Sequence, residues 1–228
     1  MPALRATLPS PLGDEPLVDF IHRNPVLAHA VAWEWQKDDV STRPGDIHTS
    51  WSSFSQRDPE ETAQWVALDA FADDLVPLPL KVRTIFAHGK RCIVLGKLNA
   101  AQHAALSAEG AVAVLEEDLT AAEIPRRIER VVTSTPERPR QGKGVGTALT
   151  DREIQILELY ARRRALTAST LAAALGLHTT TVRGHLARGR KKLAAAGLRC
   201  GSRGELALAL QEIGYSHTDA QWSAIGRW

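Results

Sequence analysis

The segment Leu149 to Leu193, LTDREIQILELYARRRALTASTLAAALGLHTTTVRGHLARGRKKL, constrains this chain more than any other stretch. It reads as three helices in a row, the third running from Thr179 to Ala195. At about 100° per residue, Val182, Leu186, Gly189 and Leu193 share one face of that third helix and must pack inward. The rest of its surface carries Thr180, Thr181, Arg183, Gly184, Arg188, Arg190, Lys191 and Lys192. The preceding helix, Thr167 to Leu175, is short and alanine-rich, with Leu171, Ala174 and Leu175 placed to meet the third. Gly176-Leu177-His178 is a tight link, where Gly176 is free to take the left-handed conformation that ends a helix.

Helix, short glycine turn, basic helix is the helix-turn-helix arrangement. A helix with one apolar seam and an otherwise basic, small-residue surface suits the DNA major groove. Long cations reach phosphates and guanine edges, and small residues let the backbones approach. A charged face on a bundle helix is the blander reading. The imbalance decides between them: from Leu149 to Gly204 there are 11 Lys or Arg against 3 Asp or Glu.

These residues resemble the LuxR/NarL type of DNA-binding domain over about 65 residues. The matching pattern is Leu149-Thr150-x-Arg152-Glu153 opening the first helix, then Thr181-Val182-Arg183-x-His185 and Lys192-Leu193 in the third. The resemblance implies that the third helix enters the major groove and that a fourth mediates dimerisation. By position, Arg183, Gly184 and Ala187 face base edges, and Thr181 and Lys192 meet phosphates. Gly184 and Ala187 depart from the pattern by having little or no side chain, which moves base readout onto Arg183, Thr180 and Arg188. The Arg162-Arg163-Arg164-Ala165 link is also longer than the family's turn. Sigma-factor region 4 has a similar helix-turn-helix, but no promoter-melting region precedes this one. His185 reads as a packing or helix-orienting residue.

The overall charge of +2 hides an asymmetry. Residues 1–132 carry 13 basic and 19 acidic side chains, and residues 133–228 carry 15 and 7. An acidic half joined to a basic one fits a sensing or assembly domain on a DNA binder. Cys92 and Cys200 lie far apart and imply neither a metal site nor a disulfide framework. No long apolar run or signal pattern occurs, so a cytoplasmic protein without a membrane segment is expected.

Ahead of the basic half, strands and helices alternate. Residues 1–14 form a loose lead-in. Strands are expected at Pro16 to Ile21, Trp65 to Ala70, Arg91 to Leu95 and Ala111 to Leu115. Helices are expected from Asn24-Pro25 to about Lys37, at Leu80 to His88, Ala100 to Glu109 and Ala121 to Val132. Residues 38–63 read as an unusually long loop with one possible strand at Ile47 to Trp51. Alternation of this kind implies a parallel sheet of about five strands covered on both faces, in the flavodoxin-like order. The fold class is therefore an α/β receiver-type domain over 15–132, a Pro/Gly-rich linker over 133–147, an all-α helix-turn-helix domain over 148–215 and a tail over 216–228. Linker cations Arg138, Arg140 and Lys143 are placed to graze phosphates, and Trp222 and Trp228 belong to the tail. Thr150-x-x-Glu153 and Ser202-x-x-Glu205 are capping boxes that open the first and fourth helices. The first helix turns Ile154, Leu157, Tyr160 and Ala161 inward. The fourth is apolar on more than one face through Leu206, Leu208, Ala209 and Leu210, and the surplus suits a dimer contact.

The first half also resembles a response-regulator receiver, most clearly from Trp65 to Val132 and in the run GAVAVLEED, Gly110 to Asp118. An active receiver holds Mg²⁺ with an acidic pair, accepts phosphate on an aspartate, and stabilises it with a hydroxyl and a lysine. By position the acidic pair falls on His22 and Arg23, the acceptor on Asp69, the hydroxyl on Gly96 and the lysine on Glu117. Only the acceptor is present. Phosphoryl transfer to a carboxylate needs a cation to neutralise the gathering charge, so Asp69 reads as a structural remnant, with Arg23 able to pair with it as a permanent stand-in for the metal. Asp73 and Asp74 could instead supply a displaced cation site.

These readings point to a sequence-specific transcription regulator of double-stranded DNA. It is expected to be phosphorylation-independent and to act as a homodimer, or as a heterodimer with a related regulator. It is not an enzyme, and no cofactor or metal is implied. Two other functions fit the same residues: a conventional phosphorylation-driven switch, or a binding module whose receiver-like half takes a small molecule or another regulator over His22, Arg23, Asp69 and Gly96.

Overall fold

The computed structural model describes residues 15–37, 39–72, 74–116, 119–136, 149–162 and 166–216. Five strands, β1 (Leu17–Ile21), β2 (Arg43–His48), β3 (Trp65–Asp69), β4 (Arg91–Leu95) and β5 (Ala111–Leu115), form one sheet in the order β2-β1-β3-β4-β5. Every pairing is parallel. Helices α1 (Pro25–Lys37) and α5 (Glu123–Ser134) cover one face, where Val18, Phe20, Ala67 and Ile93 meet Val31, Trp35 and Ile128. Helices α2 (Trp51–Ser55), α3 (Leu78–Ala87) and α4 (Ala100–Glu109) cover the other, where Ile21, Val66, Leu68 and Val94 meet Phe54, Ile85 and Leu106. Burial on both faces explains why β3 and β4 read as unbroken apolar runs rather than alternating ones. Asn24 caps α1 by accepting from the backbone of Val26 and Leu27, at 3.0 and 3.2 Å. Gly110 ends α4 at φ 107°, a conformation that favours glycine.

The long-loop reading of 38–63 is corrected. Residues 43–48 make an edge strand, and 51–55 make a short helix capped by Ser50. The sequence Arg-Pro-Gly-Asp-Ile-His has no apolar alternation because a buried carboxylate in the next strand holds this one. Asp19 Oδ1 accepts from Asp46 N at 2.9 Å, and Oδ2 accepts from Ala63 N at 2.9 Å. A side chain at Gly45 would collide with that carboxylate. Pro44 is tolerated at a sheet edge. Burial pushes the Asp19 carboxyl up and the neighbouring His48 down.

The helical half comprises α6 (Asp151–Ala161), α7 (Ala168–Ala174), α8 (Thr179–Ala195) and α9 (Arg203–Glu212). Its core gathers Ile154, Leu157, Leu171, Val182, Leu186, Leu193, Leu206 and Leu210. Both predicted capping boxes form. One detail of α6 differs from expectation: Tyr160 is half-buried, whereas Ile156 and Leu159 are buried. The same core takes in Leu80 of α3, with Val76 packed against it, so α6 is covered on a second side by the first half.

Polar contacts complete that joint. Arg83 pairs with Glu109 through Nε and Nη2, at 2.6 and 2.7 Å, and also with Asp151. Tyr215 donates its hydroxyl to Glu109 at 2.6 Å, Gln155 donates to the Leu75 carbonyl at 2.7 Å, and Arg162 donates to the Asp74 carbonyl at 2.9 Å. None of the helices among the described residues is long and apolar enough to cross a membrane.

Candidate nucleic-acid interface and the surroundings of Asp69

Helix α8 spans the bounds expected from its sequence, and its inward seam is Val182, Leu186, Gly189 and Leu193. Gly189 is there for packing, since a Cβ would come within 2.6 Å of Leu157 Cδ1. The link from α7 turns at Gly176, φ 64°. Opposite the seam, Thr180, Thr181, Arg183, Ala187, Arg188 and Lys191 are exposed, and Gly184 and Lys192 are half-buried. The joint between the halves therefore leaves the basic face open.

Two of its cations are held from beneath. Glu153, the capping-box carboxylate of α6, is 2% exposed. Its Oε2 accepts from Thr150 N at 2.9 Å and from Lys192 Nζ at 2.7 Å, and its Oε1 lies 3.7 Å from Arg188 Nε. Burial alone would raise this carboxyl, but the hydrogen bonds from Lys192 and Thr150 outweigh it and hold it below the ordinary range. Arg188 Nη2 lies 3.1 Å from His185 Nδ1. A guanidinium can only donate, so Nδ1 is the acceptor and the imidazole is neutral. Burial and the Arg188 charge both lower the His185 pKa, which agrees. Half-buried His185 thus holds the Arg188 guanidinium. Lys192, assigned to a phosphate by position, is anchored to Glu153 at the edge of the face.

Asp69, the position matched to a receiver's acceptor in the sequence, ends β3 and is 2% exposed. Arg23 follows β1, and its backbone N–H donates to Asp69 Oδ2 at 3.1 Å, while its Nε stands 3.6 Å from the same oxygen. Phe71 N donates to Asp69 Oδ1 at 2.9 Å. The guanidinium of Arg23 rests 5.1 Å from the Phe71 ring centroid, and Nη1 donates to the Phe71 carbonyl at 3.3 Å. A cation is thus already seated beside the Asp69 carboxylate. His22 turns elsewhere: its ring stacks on Phe20 at 5.8 Å, and its Nδ1 accepts from Asn24 N at 3.0 Å. Gly96 has no room for a hydroxyl-bearing side chain, because a Cβ would come within 2.6 Å of Ala70 Cβ.

Of the alternative cation site at Asp73 and Asp74, only Asp74 lies among the described residues, and it is engaged by a lysine. Buried Lys81 pairs its ammonium with Asp74 at 2.6 Å and donates to the Ala72 carbonyl at 3.1 Å. Burial lowers the Lys81 pKa, with Asp74 opposing that shift. Asp73 and Glu117 lie outside the described residues, as do Arg163, Arg164, Ala165, the linker cations and the two tail tryptophans. Sequence reasoning missed Lys81 and the second role of Glu153. The signal for Lys81 was available: a lysine in the apolar stretch Leu80 to Val82 of a helix needs a buried partner.

No family model matches the sequence, and no curated protein matches it. Solved structures do match. RcsB from Salmonella enterica serovar Typhimurium, bound to promoter rprA in the presence of the phosphomimetic BeF3−, has a TM-score of 0.55 at 14% identity, covering 87% of this chain and 99% of that one. The chain has the two-domain fold of the RcsB response regulator. A second structure of Salmonella typhimurium RcsB gives a TM-score of 0.56 at 13% identity, over 87% of this chain and 98% of that one. Two RcsB dimers bound to two parallel DNAs give 0.51 at 14% identity, over 86% and 99%. Within this fold, Arg23 pairs with Asp69, Ala70 and Phe71 crowd Gly96, and the basic face of α8 is open.

Proposed function

We propose that this protein is a sequence-specific DNA-binding transcription regulator of the response-regulator family, with a LuxR/NarL-type reading domain, and that it acts without phosphorylation. The observation that carries the reading is the exposed face of α8, basic on one side only and presented by a helix-turn-helix. Arg183 stands clear on that face and is assigned to a base edge. Thr180 is assigned with it to base readout, Thr181, Lys191 and Lys192 are assigned to phosphates, and Ala187 allows close approach of the backbone. The Arg23–Asp69 pair supports independence from phosphate: a phosphoryl donor would have to displace a cation already in place.

Two half-sites require two copies. Leu208 on α9 is 66% exposed, while Leu206, Ala209 and Leu210 are buried. That exposed side chain supports self-association through α9, and Leu208→Glu is expected to abolish cooperative occupancy of paired half-sites. The proposed domains span 15–132 and 148–215, and α8 lies inside the second of them. Binding to labelled duplex should weaken steeply with salt, by about 0.9 in log K per unit log[salt] for each phosphate neutralised. Incubation with Mg²⁺ and a small phosphoryl donor, followed by intact mass, should show no gain of a phosphoryl group. A stoichiometric gain at Asp69 would favour the phosphorylation-driven switch instead.

A further inference from the structure

Gly184 has no backbone reason to be glycine. It lies inside α8, and it is not among the glycines with positive φ. Nor does a packed core exclude a side chain, as Leu157 does at Gly189. A glycine inside a helix weakens it. Among the described residues, the one group near the space of a Cβ at Gly184 is Arg188 Nη1, at 3.3 Å. Residues four apart stack on one helix face, and long side chains lean towards the N-terminus. Arg188 therefore lies back along α8 with its guanidinium over Gly184.

That guanidinium is fixed at two further points. Its Nη2 donates to His185 Nδ1 at 3.1 Å, and its Nε stands 3.7 Å from Glu153 Oε1. Glu153 is itself held by the Thr150 cap and by Lys192. The Arg188 side chain is nevertheless 59% exposed, so one edge of the fork stays open to a ligand. An arginine fork reads the O6 and N7 acceptors of guanine in the major groove. A fork already held in place loses less freedom on binding.

From this geometry we infer that Arg188, seated on Gly184 and oriented by His185 and Glu153, reads a guanine from the position where Gly184 itself has no side chain. Gly184 is the seat, His185 and Glu153 are positioning residues, and Arg188 makes the base contact. The inference rests on the DNA-reading function proposed above and names a specificity determinant within it.

The test is base preference, measured with the full chain by selection from a randomised duplex library and by competition with single-base variants of the recovered site. Melting temperatures are recorded alongside. The wild type should prefer guanine at one position of each half-site that Arg183→Ala leaves untouched. Arg188→Ala should lose about 5- to 150-fold of preference at that position alone. Arg188→Lys keeps the charge but not the fork, so it should lose the same preference while retaining affinity for unrelated DNA. Gly184→Ala should melt no lower than the wild type and still weaken the same position, an outcome that a purely structural role for Gly184 would not produce. If Arg188→Ala and Arg188→Lys both recover the wild-type motif at every position, Arg188 is only a strut and the inference is overturned, with the DNA-reading function intact. A wild type that recovers no motif overturns that function and this inference together.

Discussion

Two arginines compare the two halves. Arg23 is spent within the fold: its backbone and side chain both engage Asp69, and its guanidinium lies against Phe71. Arg183 stands exposed on α8. One cation neutralises a buried carboxylate, and the other is free to neutralise something the chain does not contain. On the function proposed above, the same residue type serves stability in one half and binding in the other, because a buried charge needs a partner and a solvated one does not.

The largest effect should come from breaking the buried pair. Arg23→Ala leaves Asp69 charged and without its guanidinium, and should cost about 3 kcal/mol of folding stability in urea unfolding. DNA affinity of the folded fraction should not change. Wild-type stability in that variant would mean the pair does nothing for the fold, and the comparison would collapse.

Arg183→Ala should do the reverse. It should cost about 1–3 kcal/mol of specific DNA binding, read by fluorescence anisotropy, with no change in unfolding midpoint. An isotherm that matches the wild type would remove Arg183 from base reading.

Thr150→Ala probes where the halves meet the reading helix. Thr150 caps α6 by accepting from Glu153 N at 3.3 Å, and it donates its own N–H to the carboxylate that anchors Lys192. Loss of the cap should cost about 1 kcal/mol of stability, measurable by thermal melting. The smallest effect is expected at Lys191, exposed on α8. Lys191→Ala should weaken binding evenly across sequences and lower the salt slope by about 1. A loss confined to one base position would make Lys191 a reader.

Much of the second half was legible because its signals are local. Residues 179–195 carry their own apolar seam, Gly176 marks the turn, and Thr150 and Ser202 announce their helices three residues ahead of a glutamate. Strands β3, β4 and β5 announce themselves as apolar runs. Strand β2 was hidden, because Asp19 holds it through tertiary hydrogen bonds rather than through any pattern of its own. Ile156 and Leu159 were missed since α6 is surrounded by more than one packing partner, which a single-helix periodicity does not contain. Position alone located Asp69 and Arg23 as a pair. It could not show that Phe71 closes over Arg23, or that Ala70 takes the space a hydroxyl would need beside Gly96. Nor could spacing reveal the seat that Gly184 makes for Arg188, which depends on a carboxylate from another helix.

The most direct test of the account is a side-by-side selection from a random duplex library with purified wild type and Asp69→Asn, each with and without Mg²⁺ and a small phosphoryl donor. The account predicts one motif of paired half-sites, recovered with equal affinity by both proteins in both conditions. A substitution or a donor that abolishes or retunes the motif would contradict it, and would show that Asp69 governs the reading helix.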